Sequence, residues 1–420
     1  MIYRAPGLVL LLFVLFRTAF GQPGDSIVIS LPAAEKLFLQ RNLDLIAQQY
    51  NTDIRNALVS QAGYWDNPVL NTDQNIYDGK FFRHNSNFGQ VFLQLQQVIK
   101  TAGKRNKLIA LATDDVLSSQ QQFADMMRNL RFVLRSDYQS LRTLFAQRLL
   151  FKTQLGSLEK LAAAMDAQLQ AGNISQKDNI RVKALVYNQR SELAALDQQV
   201  TDTEKEFAVL LQVTGDTVFI PTAANPFSIP ADLSLGALMD SARANRPDLQ
   251  LAQTNLLAKQ HNLNYQKALA VPDITVGTEY DQRSSYVNNF WGLGISVPLP
   301  LFNKNKGNIA AAKIGVQQAN VQVQQAQNNV QQDIIAAYRK LLILRGLQAS
   351  LSTGFMDKYD QLLKNMVDSY QQRQVSLLEF IDFFDAYKES AGRQLEQQRA
   401  LSAAAEELNY ATGTNIISQD

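Results

Sequence analysis

Ile274-Thr275-Val276-Gly277-Thr278-Glu279-Tyr280-Asp281 and Trp291-Gly292-Leu293-Gly294-Ile295-Ser296-Val297 decide how this chain is read. In both, every second position is apolar or bulky and the positions between are small or polar. That two-residue period is a strand's, with one face unlike the other. In the first half of the chain, Val91, Leu93 and Leu95 alternate with Gln90, Gln94 and Gln96, and Asn67 to Tyr77 is a fourth, weaker segment. Each is near the 9–11 residues of a transmembrane strand. Polar loops, Asp78 to Asn87 and Gln282 to Asn289, separate the members of each pair. Tyr64, Trp65, Tyr77, Phe81, Phe82, Tyr280, Tyr286 and Phe290 gather at the segment ends, where an interfacial girdle would sit. Two ordinary hairpins of a soluble α+β protein would alternate in the same way. If the strands do enter lipid, four cannot close a barrel, and open edges are not tolerated there. The barrel must then be shared between chains, eight strands from two or twelve from three.

The 420-residue chain has no Cys, which excludes disulfides, thiolate zinc sites, Cys nucleophiles and Cys-linked lipid anchors. With two His (His84 and His261) there is little room for a His-based metal or catalytic centre, and His84 reads as a solvent-facing loop residue. Forty basic residues against 38 acidic ones argue against nucleic acid as a partner. Gly292 and Gly294 alternate with apolar residues and form no phosphate loop; no nucleotide or cofactor motif occurs. Arg4, the apolar run Leu8 to Phe16 and Ala19-Phe20-Gly21 make a secretory signal peptide over residues 1–21. The run is about half the length of a spanning helix. An exported chain that enters a membrane again does so as strands.

The chain repeats itself. Ser30-Leu31 recurs as Ser234-Leu235, Asp44-Leu45 as Asp248-Leu249, Pro68 as Pro272, Lys100 as Lys304 and Gly103 as Gly307, all 204 residues apart. Ile174-Ser175 aligns with Val375-Ser376 at an offset of 201. These matches divide the chain into a first unit at 22–213, a Pro-containing linker at 214–233 and a second unit at 234–420. Each unit reads helix, strand pair, long helix, shorter helix. Pro is absent from Val69 to Ile220 and from Leu301 onward, the windows that hold the long helices. Val316, Ala319, Val323, Ala326 and Val330 form a thin heptad seam in a Gln- and Asn-rich surface. Thr101 to Gln170 would be a helix roughly 100 Å long, odd for a compact enzyme and ordinary for a coiled coil.

This organisation resembles the outer-membrane factor (TolC) family over about residues 30 to 412. Gln61-Ala62-Gly63-Tyr64-Trp65-Asp66-Asn67-Pro68 looks like the family's helix-to-strand entry, and its Asn-Pro form is similar to the heavy-metal branch. Lys100-Thr101-Ala102-Gly103-Lys104-Arg105 looks like the exit from the first strand pair. Val297-Pro298-Leu299-Pro300-Leu301-Phe302-Asn303 looks like the second exit and is the most specific motif of the set. The resemblance implies a mainly α fold with a membrane β-barrel. Long coiled-coil-like helices form an α-barrel, each chain adds four transmembrane strands, and a homotrimer completes twelve. It implies an outer-membrane exit channel with its helices in the periplasm, partnered by a periplasmic adaptor and an inner-membrane pump of the resistance–nodulation–division type. No bond-making chemistry and no cofactor are implied.

The resemblance also marks site residues. Gly172, Asn173, Ile174 and Ser175, and Arg373, Gln374, Val375 and Ser376, match the helix-to-helix turns that meet the adaptor; Arg373 stands where the family has Gly. A plain αα-hairpin turn would look the same. Asp382 and Asp385, in Ile381-Asp382-Phe383-Phe384-Asp385-Ala386, match the aspartates of the pore constriction. Three residues apart, they share a helix face, as any solvated pair at that spacing does. In a trimer they would form two rings of three carboxylates, an arrangement that favours cations. Glu279 and Asp281 would point into the barrel or sit at its mouth. The rival readings are the outer-membrane duct of type I protein secretion, a secreted coiled-coil scaffold without a pore, and a periplasmic hydrolase built on Asp382 and Asp385.

Overall fold

The computed structural model describes residues 25–419 except 78, 85–87, 223–226, 231–232, 351–358, 360, 363–364, 367, 371 and 373. The expected signal peptide and Arg373 lie outside the described residues. Strand β1 (Asp25–Ile29) leads into helices α1 (Leu31–Arg41) and α2 (Leu43–Ala62). The hairpin β2 (Val69–Gln74) and β3 (Val91–Ile99) follows, then α3 (Lys104–Gln170) and α4 (Gln176–Leu211). Strands β4 (Thr217–Pro221) and β5 (Phe227–Ser228) cross to α5 (Leu235–Asn245) and α6 (Pro247–Leu269). The second hairpin is β6 (Ile274–Arg283) and β7 (Asn288–Ser296), followed by α7 (Lys306–Ser350), α8 (Leu377–Thr412) and β8 (Ser418–Gln419).

The single helix expected at the head of each unit is two helices. Asn42 leaves helical geometry at φ −62°, ψ 117°, and its side chain caps α2 by accepting from Leu45 N–H. At the equivalent break Arg246 is extended and Pro247 opens α6, a position where proline's missing N–H costs nothing. The linker also carries structure, because β4 pairs in parallel with β1 and β5 pairs with β8. The repeated serines are helix caps: Ser30 accepts from Ala33 N–H and Ser234 from Ala237 N–H.

Residues 104–170 are helical without a break, so α3 is about 100 Å long. Ala102 and Gly103 hold the left-handed turn that starts it. On α7, Ala319 and Val330 are buried and Val316, Val323 and Ala326 are half-buried, so the thin heptad seam is the packed face. Ile334, Ala337 and Leu341 continue it into a core with Leu238, Ala242, Ala405 and Leu408. A matching core surrounds Phe38, Leu134, Tyr138, Phe207 and Phe219.

The helices lie side by side in a fixed order. α3 packs against α2 and α4 and against α6 and α8, and α7 packs against α6 and α8. The strand order is β2-β3-β6-β7, all antiparallel. Since β2 follows α2, β3 precedes α3, β6 follows α6 and β7 precedes α7, the sheet continues the helical ribbon. Among the described residues no helix is long and apolar enough to cross a membrane.

Candidate functional site

The sheet has two chemically different faces. Cross-strand register places Leu70, Leu95, Thr278 and Leu293 in one row and Thr72, Leu93, Tyr280 and Trp291 in the next. On this face Trp291, Leu293 and Ile295 are 72%, 77% and 68% exposed, with the Tyr280 ring beside Trp291. Water would penalise such a surface, and hydrocarbon would not. The opposite face carries the rows Asn71, Gln94, Glu279, Gly292 and Asp73, Phe92, Asp281, Phe290. Gln94 Nε2 donates to Glu279 Oε2 at 3.1 Å, and Asn71 Nδ2 donates to Gln94 Oε1 at 3.4 Å. Gly292 makes room for this row: a Cβ there would sit 2.7 Å from the Phe290 ring and 3.0 Å from Glu279. Strand β2 replaces the expected Asn67 to Tyr77 with a shorter span, Val69 to Gln74.

At the far end of the ribbon two turns come together. The first closes α3 in a Schellman arrangement. Asn173 N–H donates to Gln168 O and Gly172 N–H to Leu169 O, both at 2.9 Å, with Gly172 left-handed at φ 71°. Ile174 tucks into the apolar cluster and Ser175 caps α4, accepting from Asp178 N–H at 3.1 Å. At the second turn Gln374 N–H reaches back to Ser369 O at 2.8 Å, with the same five-residue step. Val375 is half-buried, and Ser376 starts α8 with a capping box. In that box Glu379 N–H donates to Ser376 Oγ at 3.2 Å and Ser376 N–H to Glu379 Oε2 at 2.7 Å. Hydrogen bonds from the Ser376 backbone N–H and from its hydroxyl hold the Glu379 carboxyl below the usual glutamate range. The contribution is present above the ordinary glutamate pKa and fades as pH falls through the depressed value. Ser376→Ala is expected to speed amide exchange in the first turn of α8, a cost of about 1 kcal/mol; unchanged exchange would remove the box from the account.

Both turns share one core, in which Leu158, Leu161 and Met165 of α3 and Val182 of α4 meet Leu377, Phe380, Phe384 and Tyr387 of α8. Those α8 positions are spaced three and four apart, so Asp382 and Asp385 fall on the opposite, exposed face. Within one chain they touch no charged partner among the described ion pairs. No group of three or more His, Asp or Glu placed to hold a metal is found among the described residues.

Other groups escaped the sequence reading. Leu43, Ile46, Tyr50, Ile54 and Leu58 form an exposed apolar stripe on α2. Its spacing of three and four was visible in the sequence. The ion-pair network around Arg135 and the pair His261–Asp114 left no local signal, because their members lie 100 or more residues apart.

A sheet with one bare apolar face, carried on a ribbon of very long helices, is the subunit of an outer-membrane channel. The family model described as outer membrane efflux protein matches residues 36–211 and 238–414, and the chain belongs to that family. The cobalt-zinc-cadmium resistance protein CzcC of Cupriavidus metallidurans is 21% identical over 357 residues, 84% of this chain and 82% of CzcC. The pyoverdine export outer membrane protein OpmQ of Pseudomonas putida is 25% identical over 198 residues, 45% of this chain; the match spans 38% of OpmQ. A crystal structure of CusC superposes with a TM-score of 0.74 at 18% identity, covering 99% of both chains. The mostly helical fold is thus that of the outer-membrane efflux channels, and the chain is an outer-membrane protein.

Proposed function

We propose that three copies of this chain close into the passive exit duct of a tripartite efflux system. The observation that carries this is the pair of open sides. β2 and β7 each pair on one side only. The helices on those sides carry unpartnered apolar side chains: Leu43, Ile46, Tyr50, Ile54 and Leu58 on α2, and Ile314 and Val321 on α7. A β7 edge meeting the β2 edge of a second copy pairs unlike surfaces, and such contacts close into a ring. Twelve strands and a matching ring of helices then enclose a continuous bore. The polar row of Asn71, Gln94 and Glu279 faces that bore, and the apolar row of Leu293 faces lipid.

In this ring Gly172 to Ser175 and Arg373 to Ser376 are the periplasmic tip that meets an adaptor, beneath which sits a pump of the resistance–nodulation–division type. The exposed face of α8 turns Asp382 and Asp385 toward the axis as two carboxylate rings, which attract cations. The units 22–213 and 234–420, joined at 214–233, are two copies of one ancestral unit. Support comes from α1 and α5, each 11 residues long and 204 residues apart, and from α4 and α8, each 36 residues long and 201 apart. The likeness to CzcC favours metal cations as cargo. The test is planar-bilayer conductance of the detergent-purified protein, its mass taken by native mass spectrometry. A trimer with discrete, cation-preferring steps is expected, and replacing Asp382 and Asp385 by Ala should move the reversal potential toward zero. A monomer that never inserts sinks the duct. A trimer whose double variant keeps its reversal potential removes the aspartates as the filter.

A further inference from the structure

Between the start of α3 and the end of α6 lies a pocket of about 420 Å³ lined by Ala102, Lys107, Ala110, His261, Asn264, Lys267, Ala268 and Val271. It opens where the helices meet the sheet: Ala102 is three residues past the end of β3 and Val271 three before the start of β6. α3 and α6 are the inner members of the ribbon, so the pocket stands away from the two open sides. Neighbouring cations are already matched. Lys100 pairs with Asp66 at 2.9 Å and Lys104 with Asp273 at 2.6 Å. Lys107 and Lys267 have no carboxylate partner among the described ion pairs. The Lys107 ammonium donates to Ala102 O at 2.6 Å, which leaves two of its three N–H groups free to turn to the pocket. His261 Nδ1 is held 2.6 Å from Oδ2 of buried Asp114, so Nε2 is the ring nitrogen left for a ligand.

We propose that this pocket holds the phosphate of an anionic phospholipid headgroup, clamped by Lys107 and Lys267 with Asn264 and His261 beside them. Two ammonium groups beside an amide N–H donor suit a phosphate oxyanion. The apolar remainder of the lining, Ala102, Ala110, Ala268 and Val271, suits the glycerol that follows it. A bare phosphate ion would fill a small part of the volume. The position at the base of the membrane strands puts the headgroup at the leaflet that faces the helices. The source of the phosphate rests on the outer-membrane placement of the sheet.

The test uses the detergent-purified full-length protein. Native mass spectrometry would count bound lipid during titration with phosphatidylglycerol or phosphatidylcholine, with and without inorganic phosphate. Wild-type protein should retain phosphatidylglycerol in preference to phosphatidylcholine, and K107Q/K267Q should lower that retention by roughly tenfold. Bilayer conductance of the variant should be unchanged, showing an intact channel. Equal retention by wild type and variant overturns the site. Full displacement of the lipid by inorganic phosphate overturns the lipid source in favour of a free-anion site. Loss of conductance in the wild type strikes the duct reading instead, so the two failures read differently.

Discussion

Arg135→Ala is expected to destabilise the protein by about 3–5 kcal/mol, the cost of leaving a buried charge without its partner. Arg135 Nε donates to Glu35 Oε1 at 2.5 Å, and its Nη1 donates to Glu406 Oε2 at 2.9 Å and Asn415 Oδ1 at 3.0 Å. The Glu406 side chain is 4% exposed and the Arg135 side chain 11%, so water cannot replace the lost pairing. Burial alone would lower the Arg135 pKa, but Glu406 and Glu35 outweigh it and raise it. The network joins α1, α3 and α8, so one guanidinium ties the two halves of the chain together. A second buried guanidinium, Arg246, pairs with Asp248 and Asp333 within the second half of the chain. Thermal denaturation of the purified protein would measure the loss. A drop worth under 1 kcal/mol would mean that the carboxylates find other partners. Replacing Arg135, Glu35 and Glu406 together by Met, Leu and Leu should recover much of the stability, because an apolar cluster carries no desolvation cost.

The second large effect is expected from Leu293→Arg. Leu293 lies at the centre of β7, in the row Leu70, Leu95, Thr278, Leu293, and is 77% exposed. If that face meets hydrocarbon, an arginine near the midplane costs about 2–4 kcal/mol. In the proposed trimer three copies of the strand share one barrel, so three such penalties would act on one assembly. The fraction of protein recovered in the outer membrane should fall sharply. Asn71→Arg sits on the same sheet, on the polar face beside Gln94. It should insert like the wild type, because the water of the proposed bore would solvate the charge. Equal insertion of both variants would show that the apolar face does not meet lipid.

The legible parts of this fold are those whose cause is local. A period of two at 274–281 and 291–297 sets both strands and assigns their faces, since successive side chains on a strand point opposite ways. Serine at 30, 234, 175 and 376 caps four helix starts, its hydroxyl satisfying a backbone N–H within three residues, a local cause that the repeat and turn matches did not single out. The heptad seam from Val316 to Val330 foretold which side of α7 is packed. The break at Asn42 was missed because Leu43 to Ala62 continues the helical pattern of Leu31 to Arg41 directly, with only the capping asparagine between them. The structure in the linker was missed because β4 is stabilised by a partner strand nearly 200 residues away.

The candidate site divides along the same line. Asp382 and Asp385 could be placed on a common helix face from their spacing, and Gly172 and Ser175 at a turn from their residue types. That both turns meet in one core of Leu161, Met165, Phe380 and Phe384 depends on packing between helices more than 200 residues apart. By itself the sequence determined the strands and their two faces and the long uninterrupted helices, because each follows from backbone and side-chain chemistry within a few residues. The tertiary structure alone decided the strand order β2-β3-β6-β7, the network at Arg135, the pocket between Lys107 and Lys267 and the two open sides. Each of these depends on which distant surfaces bury one another, and burial, unlike periodicity, is a property of the folded chain.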